Sequence, residues 1–236
     1  MEHEIIELDE IDSTNDELRR LAEKGAKHFT IVAAKKQTRG KGRYSRIWDS
    51  PKGNLYLSIL IKKTKFDIAY QLSFVAGLAV LDTIQAFLPA HESKLKWPND
   101  VLVDDKKIAG ILLESSSSQS GNLDYLIIGF GINVKESPDY AINMKSLGFK
   151  QSFGEVKRHL VEKFEQLYTI WLEDGFGRIG ELWLRNAAYL GEKIHVNLPD
   201  AEIEGIFRGI TTSGELMLET KDGERLISSG EVFYGQ

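Results

Sequence analysis

Residues 94–114 read KLKWPNDVLVDDKKIAGILLE. KLKW and VLVDD form two short strand-like runs joined by a Pro-Asn-Asp turn, and KIAGILLES continues the meander. Upstream, the β-branched runs EIIELDEI (4–11), FTIVAAK (29–35) and NLYLSILI (54–61) supply further strands. Between the first two lies STNDELRRLAEKG, an amphipathic helix. Its start is marked by Thr14 and Glu17 at capping-box spacing, its end by Gly25. Residues 68–88 predict a long, mostly buried helix ended by Pro89. Downstream, SSSSQSGN (115–122) reads as a polar loop and LDYLIIGFGINV as a buried strand running into a Gly-x-Gly bend. Helices follow over 152–173 and 177–189. From 192 the pattern becomes KIHVNL, EIEGIFRGI, ELMLET and RLISSGEV, short strands cut by Gly, Asp and Ser turns, which predicts a small β-barrel-like module. The chain is therefore expected to be an α+β domain, 1–189, followed by a β module, 190–236.

Composition narrows the function. The 236 residues carry 35 Asp+Glu against 30 Lys+Arg, a formal charge of −5, with no cysteine. An acidic balance argues against a general nucleic-acid binder. The missing cysteine excludes disulfides, zinc-thiolate sites and thiol nucleophiles. Histidines 3, 28, 91, 159 and 195 are scattered without metal-ligand spacing, so no dedicated metal site is expected. Charged residues after Met1 argue against a signal peptide. The apolar run LSFVAGLAVLDTIQAFL is interrupted by Asp82 and Gln85 and is too short for a membrane span. A cytoplasmic protein is the expectation.

Against that acidic background, KQTRGKGRYSRIWDS (36–50) concentrates five basic side chains around Gly40 and Gly42. Freed backbone amides with Lys41, Arg43 and Arg46 suit an anion, and Trp48 suits a stacking partner. A solvated hairpin fits the same residues. Lys96 at a strand end and Lys107 at a strand start add cations, and Gly110 inside its strand suggests a close approach. Gly129 and Gly131 let backbone lie flat against a slender apolar ligand, though a β-bulge fits equally. They are not a dinucleotide fingerprint, for want of a third glycine. DSTN (12–15) is a helix cap that could also meet a polar head group.

Taken in order, STN, KQTRGKGRYSRIW, NLYLSI, KWPNDV, KKIAGILLE and GFGINV resemble the biotin protein ligases, over nearly the whole chain. The resemblance implies a mixed sheet with helices on one side, of the class II synthetase/biotin–lipoate ligase type, followed by an SH3-like barrel. It implies ATP-dependent ligation of biotin to a lysine of a biotin carboxyl carrier protein through biotinyl-5'-AMP, with Mg2+ accompanying ATP. By position, Ser13, Thr14, Gln37, Gly40, Lys41, Gly110, Gly129 and Gly131 are implied biotin contacts. Arg43, Arg46, Trp48, Lys96 and Asn133 are implied on the ATP side. Arg43, Lys96 and Lys107 are the implied catalytic cations. Two positions depart from the family's usual pattern: Lys41 stands where arginine is common, and Ser45 where glycine is frequent. The STN motif begins at residue 13, so the form expected is one without an N-terminal DNA-binding domain and without DNA or membrane partners. Homodimerisation is compatible with the resemblance. A lipoate ligase of the same fold and a basic-loop nucleic-acid binder are the competing readings; an octanoyltransferase would need the absent cysteine.

Overall fold

The computed structural model describes residues 3–62, 68–117, 123–198 and 201–234. Seven strands form the larger sheet: β1 (Ile5–Leu8), β2 (Ile31–Ala34), β3 (Leu55–Ile61), β4 (Ser93–Lys96), β5 (Asp100–Val103), β6 (Lys106–Ser117) and β7 (Leu123–Ile132). Their spatial order is β1-β2-β3-β7-β6-β5-β4. Only β1 and β2 pair parallel, because helix α1 (Thr14–Glu23) crosses between them; the other neighbours are antiparallel. The meander over 94–114 is thus β4-β5-β6, as its turns predict. The mixed sheet is confirmed. The polar loop expected over 115–122 begins later, since Ser115–Ser117 extend β6 and pair with β7; residues 118–122 lie outside the described residues.

Alternation along the strands gives the sheet two apolar faces. Ile31, Ala33, Leu57, Ile59, Ile128 and Phe130 point into a large core with α2 (Gln71–Phe87), α3 (Phe153–Asp174) and α4 (Phe176–Arg185). Val32, Leu60 and Ile127 point the other way and bury Leu18 and Ala22 of α1. Helices therefore cover both faces, which corrects the one-sided arrangement. The amphipathic stripe of α1 needs an apolar partner of its own, and the even residues of β2 and β3 supply it. Helix α4 stops at Arg185, four residues short of the expected 189, where Asn186 turns and the chain bridges to Leu95.

Ser152 and Glu155 form a full capping box at the start of α3. Thr14 and Glu17 do not form one. Ser13 is the N-cap of α1, with no side-chain cap, and Thr14 is already helical, its amide donating to Gln37 Oε1 instead.

The C-terminal module is an antiparallel sheet ordered β11-β10-β9-β8-β12, with β8 (Lys193–Asn197), β9 (Glu202–Ile210), β10 (Leu216–Thr220), β11 (Gly223–Ile227) and β12 (Glu231–Phe233). The run RLISSGEV splits into β11 and β12, which end the ladder on opposite sides. Among the described residues no β11–β12 pairing closes it into a barrel. No helix among the described residues is long and apolar enough to cross a membrane.

Candidate active site

A cavity of about 360 Å³ opens on the α1 side of the sheet. Its floor follows from register. Tyr56 of β3 lies opposite Gly131 of β7, Gly131 opposite Gly110 of β6, Gly110 opposite Asp100 of β5, and Asp100 opposite Lys96 of β4. Directly opposed residues share a face, so two adjacent glycines leave a trough in the middle of that row. In the next row Ser58 opposes Gly129. The intervening residues Phe130 and Ile111 belong to the core beneath.

Protein side chains occupy the room that these glycines open. A Cβ on Gly131 would lie 2.6 Å from Trp48 Cε2, and one on Gly110 3.0 Å from Trp48 Cζ3. The indole therefore lies against the trough, its buried Nε1 without a hydrogen-bond partner among the described residues. A Cβ on Gly129 would lie 2.4 Å from Asn15 Oδ1. Gly40 is absent from the cavity wall; its missing Cβ admits Ser50 Oγ and the Trp48 carbonyl, each 2.3 Å from where that atom would sit.

One end of the cavity is built mainly from neutral polar groups. Gln37 Oε1 accepts from the Thr14 amide at 2.8 Å and stands 3.1 Å from Thr14 Oγ1, while Gln37 Nε2 donates to Ser50 Oγ. Buried Ser58 Oγ lies 2.7 Å from Thr14 Oγ1 and 2.6 Å from Asn15 Oδ1. Ser13 also lines this end, and Lys41 is held by Asp16 of α1.

The other end is cationic. Lys107 Nζ sits 2.7 Å from Asp100 Oδ1 and 5.2 Å above the Trp48 ring. Lys96 Nζ lies 5.3 Å from the Phe233 ring centroid. Burial pulls the Lys96 ammonium below the ordinary lysine pKa, and the Lys107 charge adds to the shift; Asp100 and Glu231 oppose it. Arg43 Nη1 donates to the Gly230 carbonyl at 3.1 Å and to Asn99 Oδ1 at 3.3 Å. Arg46 forms a bidentate pair with Glu231. Asn133 is buried on the wall, its Nδ2 donating to the Ile142 carbonyl. The basic loop reaches these positions through left-handed backbone at Tyr44 (φ 53°) and Ser45 (φ 59°), the second being the position where glycine is frequent.

All the expected residues except Gly40 therefore line one cavity. The sequence reading missed Ser58, Asn99, Asp100 and Glu114, and took Asn15 only as part of the DSTN cap. It also missed Gly230, Glu231 and Phe233 from the C-terminal module. Ser58 carried a usable signal, a lone hydroxyl inside the apolar strand LYLSILI.

The sequence profile described as the biotin/lipoate A/B protein ligase family matches residues 8–133, and that of the biotin protein ligase C-terminal domain matches 189–235. A biotin–[acetyl-CoA-carboxylase] ligase of Paracoccus denitrificans is 38% identical over 95% of this chain and 98% of that relative. A bifunctional ligase/repressor of Bacillus spizizenii is 33% identical over 100% of this chain and 75% of its own length. The structure of a biotin protein ligase from Aquifex aeolicus in complex with biotin and ATP superposes with TM-score 0.84 at 32% identity, covering 98% of this chain and 97% of that one.

Proposed function

This chain belongs to the biotin/lipoate A/B protein ligase family, and we propose that its cavity activates biotin with ATP and passes it to a carrier-protein lysine. The observation that carries the reading is the joining, in one cavity, of a hydrogen-bonding end built mainly from neutral polar groups to a cationic end lined by an indole. A ureido head group needs paired donors and acceptors, which Ser13, Thr14 and Gln37 offer. An aliphatic acid tail would then run beside the Trp48 indole toward Lys96 and Lys107.

In the first step a biotin carboxylate oxygen bonds the α-phosphorus of ATP while the α–β anhydride bond breaks and pyrophosphate departs. Negative charge builds on the phosphoryl oxygens, and Lys96, Lys107 and Arg43 are the cations positioned to meet it. In the second step a neutral lysine amine attacks the acyl carbon, gives up a proton, and AMP leaves. No protein nucleophile is required, which suits a chain without cysteine. Trp48 would cover the adenine, with Arg46 and Asn133 on the nucleotide side, and magnesium would enter with the ATP phosphates. Residues 1–189 serve as the catalytic unit, and 190–236 supply Gly230, Glu231 and Phe233 to the nucleotide end. The acceptor is a biotin carboxyl carrier protein.

The test is intact mass of such a carrier after incubation with MgATP and either biotin or lipoate. Addition of one biotinyl group, lost with EDTA and absent with lipoate, is expected. A lipoyl adduct would reassign the substrate.

A further inference from the structure

Glu114 lies just behind the polar end of the cavity, on β6, with its side chain largely enclosed. Its two oxygens do separate work. Oε2 accepts from Asn15 Nδ2 at 2.7 Å. Oε1 accepts from Arg19 Nη2 at 2.8 Å and stands 3.8 Å from Lys41 Nζ. Asp16 closes the set, bound to both Arg19 and Lys41. Two cations and two carboxylates thus join α1, β6 and the basic loop.

The consequence is directional. An asparagine amide has two faces, and a carboxylate can only accept. Glu114 therefore draws Nδ2 of Asn15 toward itself and leaves Oδ1 pointing at Ser58 Oγ, in the notch that Gly129 opens. With its one proton given to Asn15 Oδ1, Ser58 can only accept from Thr14 Oγ1. That draws the Thr14 hydroxyl proton away from Gln37 Oε1 and leaves that oxygen to the Thr14 amide. The order runs Glu114, Asn15, Ser58, Thr14, Gln37.

We propose that Glu114 is a positioning residue that sets, through Asn15, the donor and acceptor pattern of the polar end. This rests on the reading of that end as the biotin head-group site. A glutamine at 114 keeps the shape but can offer its amide oxygen to only one of Asn15 and Arg19, and it weakens the hold on Lys41.

Biotin-dependent pyrophosphate exchange gives KM for biotin and for ATP separately, with Tm as the measure of folding. Glu114→Gln is expected to raise the biotin KM by about tenfold or more, the loss of a charged hydrogen bond, with the ATP KM within about twofold. Asn15→Ala is expected to do the same. The double variant should be no worse than Asn15→Ala alone, because one residue acts through the other. Additive effects, an unchanged biotin KM, or an equal rise in the ATP KM would overturn the positioning role alone. If Glu114→Gln does not fold, Asn15→Ala decides by the same split between the two substrates. Absence of biotin-dependent exchange in the unaltered protein would overturn the head-group reading as well.

Discussion

Gly129 and Gly131 sit two residues apart on one strand and face different side chains, so alanine at each should report on a different substrate. A methyl at 129 must push Asn15, at the polar end; a methyl at 131 must push the Trp48 indole. Crowding of this kind costs about 1–3 kcal/mol locally. Gly129→Ala should raise the biotin KM, and Gly131→Ala the ATP KM with a changed tryptophan emission. The opposite assignment in steady-state kinetics would contradict the placement of the two ligands. Lys96 makes a second residue-scale prediction. Its folded pKa lies below the ordinary 10.5 because it is buried, so its charge is lost earlier as pH rises. Exchange should therefore fall on an alkaline limb below that value, and Lys96→Arg, whose guanidinium keeps its proton, should move the limb upward. An identical limb in both proteins would remove Lys96 from the chemistry.

At the scale of elements, α1 is the piece that brings Ser13, Thr14 and Asn15 to the cavity, and its anchor is ionic as well as apolar. Arg20 grips Asp12 with Nη1 at 3.0 Å and Nη2 at 2.8 Å. That hydrogen bonding holds the Asp12 carboxyl well below the usual carboxylate range. Because the folded value is depressed, the stabilisation is full above the ordinary 3.8 and drains away as pH falls beneath it. Asp12→Asn should cost about 1 kcal/mol at neutral pH, and the gap in Tm should narrow in acid; a gap independent of pH would contradict the ionic anchor. Strands and helices were largely legible, since β2, β3, β6 and β7 are apolar runs bounded by turns. What period alone did not reveal was the second face. Val32 and Leu60 look the same as Ile31 and Ile59 until register assigns them to α1. The cap of α1 misled for a related reason, because Gln37, on a distant loop, took the Thr14 amide that a capping box would leave to the Glu17 carboxylate.

The whole molecule explains why half of the cationic end was invisible in the sequence. Arg46 and Glu231 are 185 residues apart, and no local pattern links them. The C-terminal sheet is also joined to the larger unit by apolar packing: Ile194, Val196, Phe207 and Leu216 share a core with Phe74, Phe176 and Ile179. Trp97 Nε1 donates to the Gly214 carbonyl at 3.0 Å across the same seam. Heat should therefore unfold the protein in one transition, with calorimetric and van't Hoff enthalpies equal. Two separated transitions would mean that the modules fold independently. The assembled cavity makes the central claim, that biotin is activated by ATP between these two units. Pyrophosphate exchange into ATP with magnesium, with biotin in one reaction and lipoate in another, tests it most directly. Exchange that requires biotin and falls about a hundredfold or more in Lys107→Ala, the scale of losing one transition-state donor, is the predicted result. Exchange driven by lipoate, or unaffected by loss of Lys107, would contradict it.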